Sequence, residues 1–230
     1  MLYGLPRVHL ASESLKVFNQ YPKARLPLPA EYEAIYRQHY VQNRSGGSPA
    51  SALARAVESW MHWRVASDVR HSPIYGATLE IGAGNLNHLA YEATTKPYDI
   101  VEPSAYLLKT AQSLSRIREI YEDVRQVPTD RRYDRILSIA TFEHLCDLPE
   151  VVARAAMLLQ PDGSLRVAIP SEGTKLWQWA QTLTAGLEFR LKYRLDYKIL
   201  CRYEHVNSAA EIERARADLH FGQMSTFWTK

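Results

Sequence analysis

A doubly wound, mostly parallel α/β sheet with helices on both faces is predicted for residues 73–230 by two observations. Apolar, strand-like runs alternate with helix-compatible segments five times between Ala77 and Pro170. That alternation favours a parallel sheet, because each crossover must carry the chain back along the strands. The first run, Ala77 to Ile81, then enters a tight turn at Gly82-Ala83-Gly84. Two glycines spaced by one residue let the backbone turn sharply and approach a ligand where a β-carbon would collide. Glu80 stands two residues before the first glycine, near the carboxyl end of the strand, where open α/β sheets bind ligands.

The segments ahead of the sheet are read as an N-terminal arm and helical lid over residues 1–72. Pro6, Pro22, Pro27 and Pro29 punctuate an irregular arm. Tyr32, Tyr36 and Tyr40 recur every four residues and predict a helix over 31–41. The loop over 42–50 follows, and Ser51 is placed to cap a second helix reaching about residue 69. Its Leu53, Val57, Trp60, Met61 and Val65 share one side. Trp60 and Trp63 are read as core, since large aromatics are buried on average. A second reading makes this region a lid, with Tyr36, Tyr40, Arg44 and His62 facing a substrate.

Within the sheet domain, a helix is expected over 85–94 and a second strand from Tyr98 to Glu102. Glu102 falls about 20 residues after the glycine turn, where a carboxylate accepts both hydroxyls of a ribose. A helix over 105–116, a third strand over 117–124 and a fourth over 133–140 follow. Asp123, ending the third strand, suits an adenine amino group or, equally simply, a turn cap. After a helix over 148–159 and a turn at 160–163, the fifth strand spans 164–169. Residues 187–199 alternate apolar and polar at every step, which predicts a long half-buried strand inserted near 185–200. Its polar side carries Arg190, Lys192, Arg194 and Lys198, read as a solvated face or as an attraction for an anionic substrate. Ser208 is placed to cap a helix over 209–218, and 219–228 is a plausible last strand.

Composition narrows the partners. The chain has 230 residues, 46% hydrophobic and 23% charged, as in an ordinary globular protein. A formal charge of +3 without a block of like charge gives no nucleic-acid footprint. Cys146 and Cys201 form neither a disulfide framework nor a metal-ligand spacing, which suits a reducing cytosol. No apolar run is long enough to span a membrane, and residues 1–13 lack the pattern of an export signal. A cytoplasmic protein without membrane or nucleic-acid partners is expected, with homo-oligomerisation left open.

Glu80-x-Gly82-x-Gly84 resembles the first motif of the class I S-adenosylmethionine (SAM) dependent methyltransferases. Thr141-Phe142-Glu143-His144-Leu145 again resembles that family, in which a Glu-His pair commonly closes the fourth strand. Leu86 departs from the pattern, standing where a third small residue is frequent. The resemblance covers Ala77 to Pro170 well and the flanks loosely. It implies a Rossmann-like sheet, SAM as cofactor, S-adenosylhomocysteine as product and a small-molecule acceptor. It further implies Glu80 near the ligand's amino group. Gly82, Gly84, Asn85, Glu102, Pro103, Asp123, Val124, Ala140 and Phe142 are the implied cofactor contacts. The family's sheet ends in two strands after the fifth, whereas this chain has room for one after its last helix.

The chemistry so implied is an in-line displacement at a carbon activated by positive sulfur, in which alignment of reactants carries much of the acceleration. A base for the acceptor's proton is sought in His144, beside the fourth strand, and His205, before the last helix. The structural reading of each is a hydrogen-bonded histidine that holds a loop. No metal is expected, because no His, Asp and Glu cluster stands at ligand spacing. Three other readings compete. A nicotinamide oxidoreductase would want a third glycine at Asn87 and no carboxylate near pyrophosphate. A non-catalytic SAM-binding partner protein would keep Glu80 and Glu102. An RNA methyltransferase would want a broad basic face.

Overall fold

The computed structural model describes residues 18–33, 35, 49–67, 76–92, 96–109, 111, 113–169, 186–218 and 224–226. Helix α1 (Pro49–Val65) precedes β1 (Thr78–Ile81), β2 (Tyr98–Val101), α2 (Ala105–Leu108), β3 (Glu119–Tyr121) and β4 (Tyr133–Ile139). Helix α3 (Leu148–Leu158), β5 (Leu159–Ala168), α4 (Leu187–Tyr193), α5 (Tyr197–Glu204), α6 (Ala209–Asp218) and β6 (Met224–Thr226) complete the described chain. The strands form one six-stranded sheet in the order β3-β2-β1-β4-β5-β6, and each neighbouring pair is parallel. One strand therefore follows α6 among the described residues, where the family commonly has two.

Strands β1 and β2 are buried at every position, as central parallel strands are when both faces are covered. Leu79, Ile81 and Val101 turn to the face packed by α3 and α6, with Val151, Val152, Ala155 and Ile212. On the opposite face, Leu137 and Ile139 meet Met61 and Val65 of α1, and Tyr98 and Ile100 meet Leu86 and Leu89. Helix α3 buries Leu148, Val151, Val152, Ala155, Ala156 and Leu158, an apolar stripe at helical spacing. A satellite core joins Leu28 and Tyr32 to Phe189 and Leu200.

Several local expectations change. Helix α1 starts at Pro49, where proline's fixed φ favours a first turn, so Ser51 lies inside it. Trp60 and Trp63 are 41% and 44% exposed, because α1 turns Met61 and Val65 to the sheet. Only a short 3-10 helix, Asn87–Ala90, follows the glycine turn, and the helix expected over 105–116 breaks into α2 and a 3-10 turn at Leu114–Arg116. The turn expected at 160–163 is absorbed into β5, where the register with β4 shifts.

The alternating segment is not a strand but two helices, α4 and α5. Phe189, Tyr193 and Tyr197 lie four apart and pack in the satellite core, while Leu187 and Leu191 are exposed. Alternate residues four apart satisfy a helix as well as a strand, and the burial partners Leu28 and Tyr32 selected the helix. Arg194 adopts a left-handed conformation that ends α4, and the Asp196 side chain caps α5 by accepting from Lys198 N.

Candidate active site

The direction of chain progression reverses between β1 and β4, and open α/β sheets bind ligands outside the carboxyl ends of strands at such a switch point. Three loops meet there: the glycine turn after β1, residues 102–104 after β2, and residues 140–145 after β4. Gly82 and Gly84 have φ of +79° and +55°. Gly82 N and Ala83 N both donate to Val101 O, at 2.8 and 3.4 Å, and Gly84 N donates to Glu102 Oε2 at 2.7 Å. The other Glu102 oxygen accepts from Ser104 N at 2.8 Å. The carboxylate is thus fixed between turn and strand, each oxygen keeping a lone pair for a further donor. All three turn N–H groups are spent within the protein, which leaves them no proton for a pyrophosphate.

Leu86 and Ala140 take positive φ without being glycine, at 66° and 50°. Such strained backbone clusters at ligand sites. Leu86 is buried against Leu89 and Ile100, which offsets the cost of its conformation. Phe142 and Val124 are buried in the main core, and Pro103 is exposed. Asn85 is half-buried in the turn.

Asp123 caps the 3-10 turn Val124–Gln126. Its Oδ1 accepts from Arg125 N and Nε, both at 2.8 Å, and its Oδ2 pairs with the Arg125 guanidinium. That arginine holds the carboxyl below its usual range. Of its two readings, the cap is the role seen, and one acceptor position on Oδ2 remains beside Arg125.

Glu80 is not on the rim. It lies in the core, 2% exposed, accepting from the Tyr98 hydroxyl at 2.8 Å. Burial pushes its pKa up to about 8, with the nearby Glu92 adding to the rise, so it is protonated at neutral pH and offers no charge to an amino group. The network continues through Arg135, whose Nη1 donates to Glu92 Oε1 at 2.7 Å and Nη2 to Val65 O at 2.9 Å. His88 Nε2 lies 2.6 Å from the same Glu92 oxygen. Burial holds the pKa of His88 down to about 4, so Nε2–H donates to the carboxylate and Nδ1 carries the lone pair. His62 Nδ1, 3.1 Å away, must therefore be the donor. His62 also stacks on Tyr91, so the ring expected against a substrate is taken up by this buried cluster. Tyr36, Tyr40 and Arg44 lie outside the described residues.

This network predicts an unusual pH profile. Between about 4.5 and 8 folded Glu80 keeps a proton that the unfolded chain has lost, so its contribution falls as pH rises. Between about 4 and 6.5 His88 acts oppositely, because the unfolded chain binds the proton. The two oppose one another up to about pH 6.5, and above it Glu80 acts alone. Stability is expected to drop by about 2 kcal/mol from pH 6.5 to 8, at ~1.4 kcal/mol per unit. Urea titrations at both pH values check this. Glu80→Gln keeps an acceptor for Tyr98 and should flatten the decline; a decline that persists in the variant would assign it elsewhere.

His144 and His205, 61 positions apart in the chain, are brought together, with ring centroids 4.8 Å apart. Glu204 O is 2.8 Å from His144 Nδ1; a carbonyl only accepts, so Nδ1 holds the proton and Nε2 the lone pair. Glu143, 5% exposed, places Oε1 3.9 Å from that Nε2. Val206 N and Asn207 N both donate to Glu143 O, and Asn207 Nδ2 donates to Phe142 O and Leu145 O. Arg25 of the N-terminal arm donates to His144 O at 2.8 Å. Sequence reading left Glu143 without a role, although it belongs to the Glu-His pair; Arg25 and Asn207 carried no local signal.

A sequence model of the family described as "Methyltransferase domain" matches residues 79–167. This stretch matches a methyltransferase domain. The match overrides the nicotinamide reading, in keeping with the spent N–H groups of the turn. A malonyl-[acyl-carrier protein] O-methyltransferase from Bacillus anthracis is 31% identical over 93 residues, covering 38% of this chain and 35% of the relative. The chain thus spans about a third of that relative's length. The plantazolicin methyltransferase BpumL in complex with SAH superposes with a TM-score of 0.57 at 14% identity, over 88% of this chain and 77% of BpumL. Its complex with a monoazolic desmethylPZN analog and SAH gives 0.55 at 13%, over 88% and 75%. Both likenesses concern the fold, which extends beyond the methyltransferase domain to most of the chain. Among the described residues no helix is long and apolar enough to cross a membrane.

Proposed function

We propose that the protein transfers the methyl group of SAM to a hydroxyl oxygen of a small, polar or sugar-containing acceptor. The observation that carries this reading is the Glu102 carboxylate, pinned by Gly84 N and Ser104 N between the glycine turn and β2. Its two remaining lone pairs suit the two hydroxyls of the SAM ribose, and Gly82, Gly84 and Asn85 line the approach. SAM supplies a methyl carbon already activated by positive sulfur; the chain's residues hold, align and deprotonate. The acceptor's O–H bond breaks, its proton passes to the imidazole of His144 or His205, and the oxygen bonds to the methyl carbon. The S–CH3 electron pair returns to sulfur, leaving a neutral thioether. The tautomer imposed by Glu204 O turns the basic Nε2 of His144 away from the backbone, which suits proton capture on the rim. Tyr36, Tyr40 and Arg44 remain proposed acceptor contacts.

Isothermal titration calorimetry with S-adenosylhomocysteine, with NAD as control, tests the reading. Micromolar binding is expected. Glu102→Ala should weaken it by about 1.5–3 kcal/mol, the worth of hydrogen bonds to a charged group. Binding of NAD without S-adenosylhomocysteine would overturn the assignment. Binding of S-adenosylhomocysteine with no methyl transfer across hydroxyl, amine and carboxylate acceptors would favour a non-catalytic SAM-binding partner.

A further inference from the structure

Two histidines and a buried carboxylate converge on the rim after β4, and acid–base chemistry does not exhaust what such a set can do. Glu143, His144 and His205 each offer a donor atom, and the three atoms lie within 4.8 Å of one another. A closed tetrahedral site needs its donors about 3.4 Å apart, given metal–ligand bonds of about 2.0–2.1 Å. His144 Nε2 and Glu143 Oε1 are at 3.9 Å, so sub-ångström closure brings this pair to coordination distance. The second shell is in place. The Glu204 carbonyl fixes the tautomer of His144, leaving Nε2 as the donor atom, as outer-shell acceptors do for metal-bound imidazoles. Val206 N and Asn207 N brace Glu143 through its carbonyl. His144 is 32% exposed on its side chain while Glu143 is 6% exposed, so the set has a buried carboxyl on its inner wall and one open side.

We propose that Glu143, His144 and His205 bind a divalent cation of borderline hardness, of the Zn2+ or Co2+ class, with its open positions facing the acceptor. Two imidazoles and one carboxylate match such ions better than Mg2+ or Ca2+, which prefer all-oxygen shells. Spacing along the chain hid the set, because Glu143-His144 and His205 are joined only by the fold. The site stands on geometry alone. Its catalytic role rests on the methyl-transfer reading and deepens it: the cation would hold and acidify the acceptor's hydroxyl so that its proton passes to water, with His144 and His205 serving as ligands in place of bases.

The test uses the whole chain, freed of metal by chelation and titrated with Co2+ alone, without SAM or acceptor. The expected result is one equivalent bound, with visible absorption bands of nitrogen-ligated Co2+. Glu143→Gln and His205→Ala, shown to be folded by circular dichroism, should each weaken binding tenfold or more. No visible bands, or undiminished binding in both folded variants, overturns the site. Should a variant fail to fold, the wild type decides. Saturating Zn2+ should protect His144 and His205 from diethyl pyrocarbonate, read by peptide mass, and equal modification with and without Zn2+ overturns the proposal. Failure of the metal site leaves S-adenosylhomocysteine binding untouched, so the two readings fail separately.

Discussion

Arg135→Met is expected to remove about 3–5 kcal/mol of folding stability, the usual result of breaking a buried ion pair from one side. Arg135 is fully buried and joins Glu92 of the segment after the glycine turn to Val65 O at the end of α1. Methionine fills much of the same volume, so the loss reports charge rather than a cavity. Two consequences separate this account from simple misfit. Adding Glu92→Gln should recover part of the loss, because the orphaned carboxylate is then gone. The pKa of His88, whose Nε2 touches the same Glu92 oxygen, should also rise in the variant, since Arg135 opposes its protonation alongside burial and His62. The destabilisation should therefore be smaller at pH 5 than at pH 8. Urea unfolding of the single and double variants at both pH values measures all of this; a loss under 1 kcal/mol, independent of pH, would show that the pair contributes little.

What could be read in the sequence was local. The glycine turn, the acid at the end of β2 and the strand–helix alternation each follow from neighbouring residues, and they were enough to foresee a parallel sheet with Gly82, Gly84 and Glu102 near the carboxyl ends of its strands. The exceptions share one cause. Arg135 finds its partners 43 and 70 residues away, and no window of sequence reports that Glu80 will sit beneath it and keep its proton. The pattern over 187–199 permits helix and strand alike until Leu28 and Tyr32 arrive to cover one of them. His144 and His205 were found separately by their chemistry, but their meeting, with Glu143 beside them, is a product of the loop that Asn207 ties to Phe142 and Leu145.

The largest effect at the site itself is expected from Gly82→Ala, which should cost about 2–5 kcal/mol and abolish measurable S-adenosylhomocysteine binding. Two penalties add. A φ of +79° costs a residue with a β-carbon about 1–2 kcal/mol. The new methyl would also stand 2.2 Å from Thr141 Oγ1 and 2.4 Å from its Cγ2, an overpacking of about 1–3 kcal/mol. The second penalty can be removed independently. Thr141→Gly deletes every atom in that clash, so Gly82→Ala with Thr141→Gly should be more stable than the sum of the single changes by about 1–3 kcal/mol. The conformational penalty should remain. Chemical denaturation of the four proteins gives the coupling directly. Strict additivity would mean that Gly82 is required for its φ alone. A positive coupling would tie the turn after β1 physically to the rim after β4, the two walls between which methyl donor and acceptor must meet.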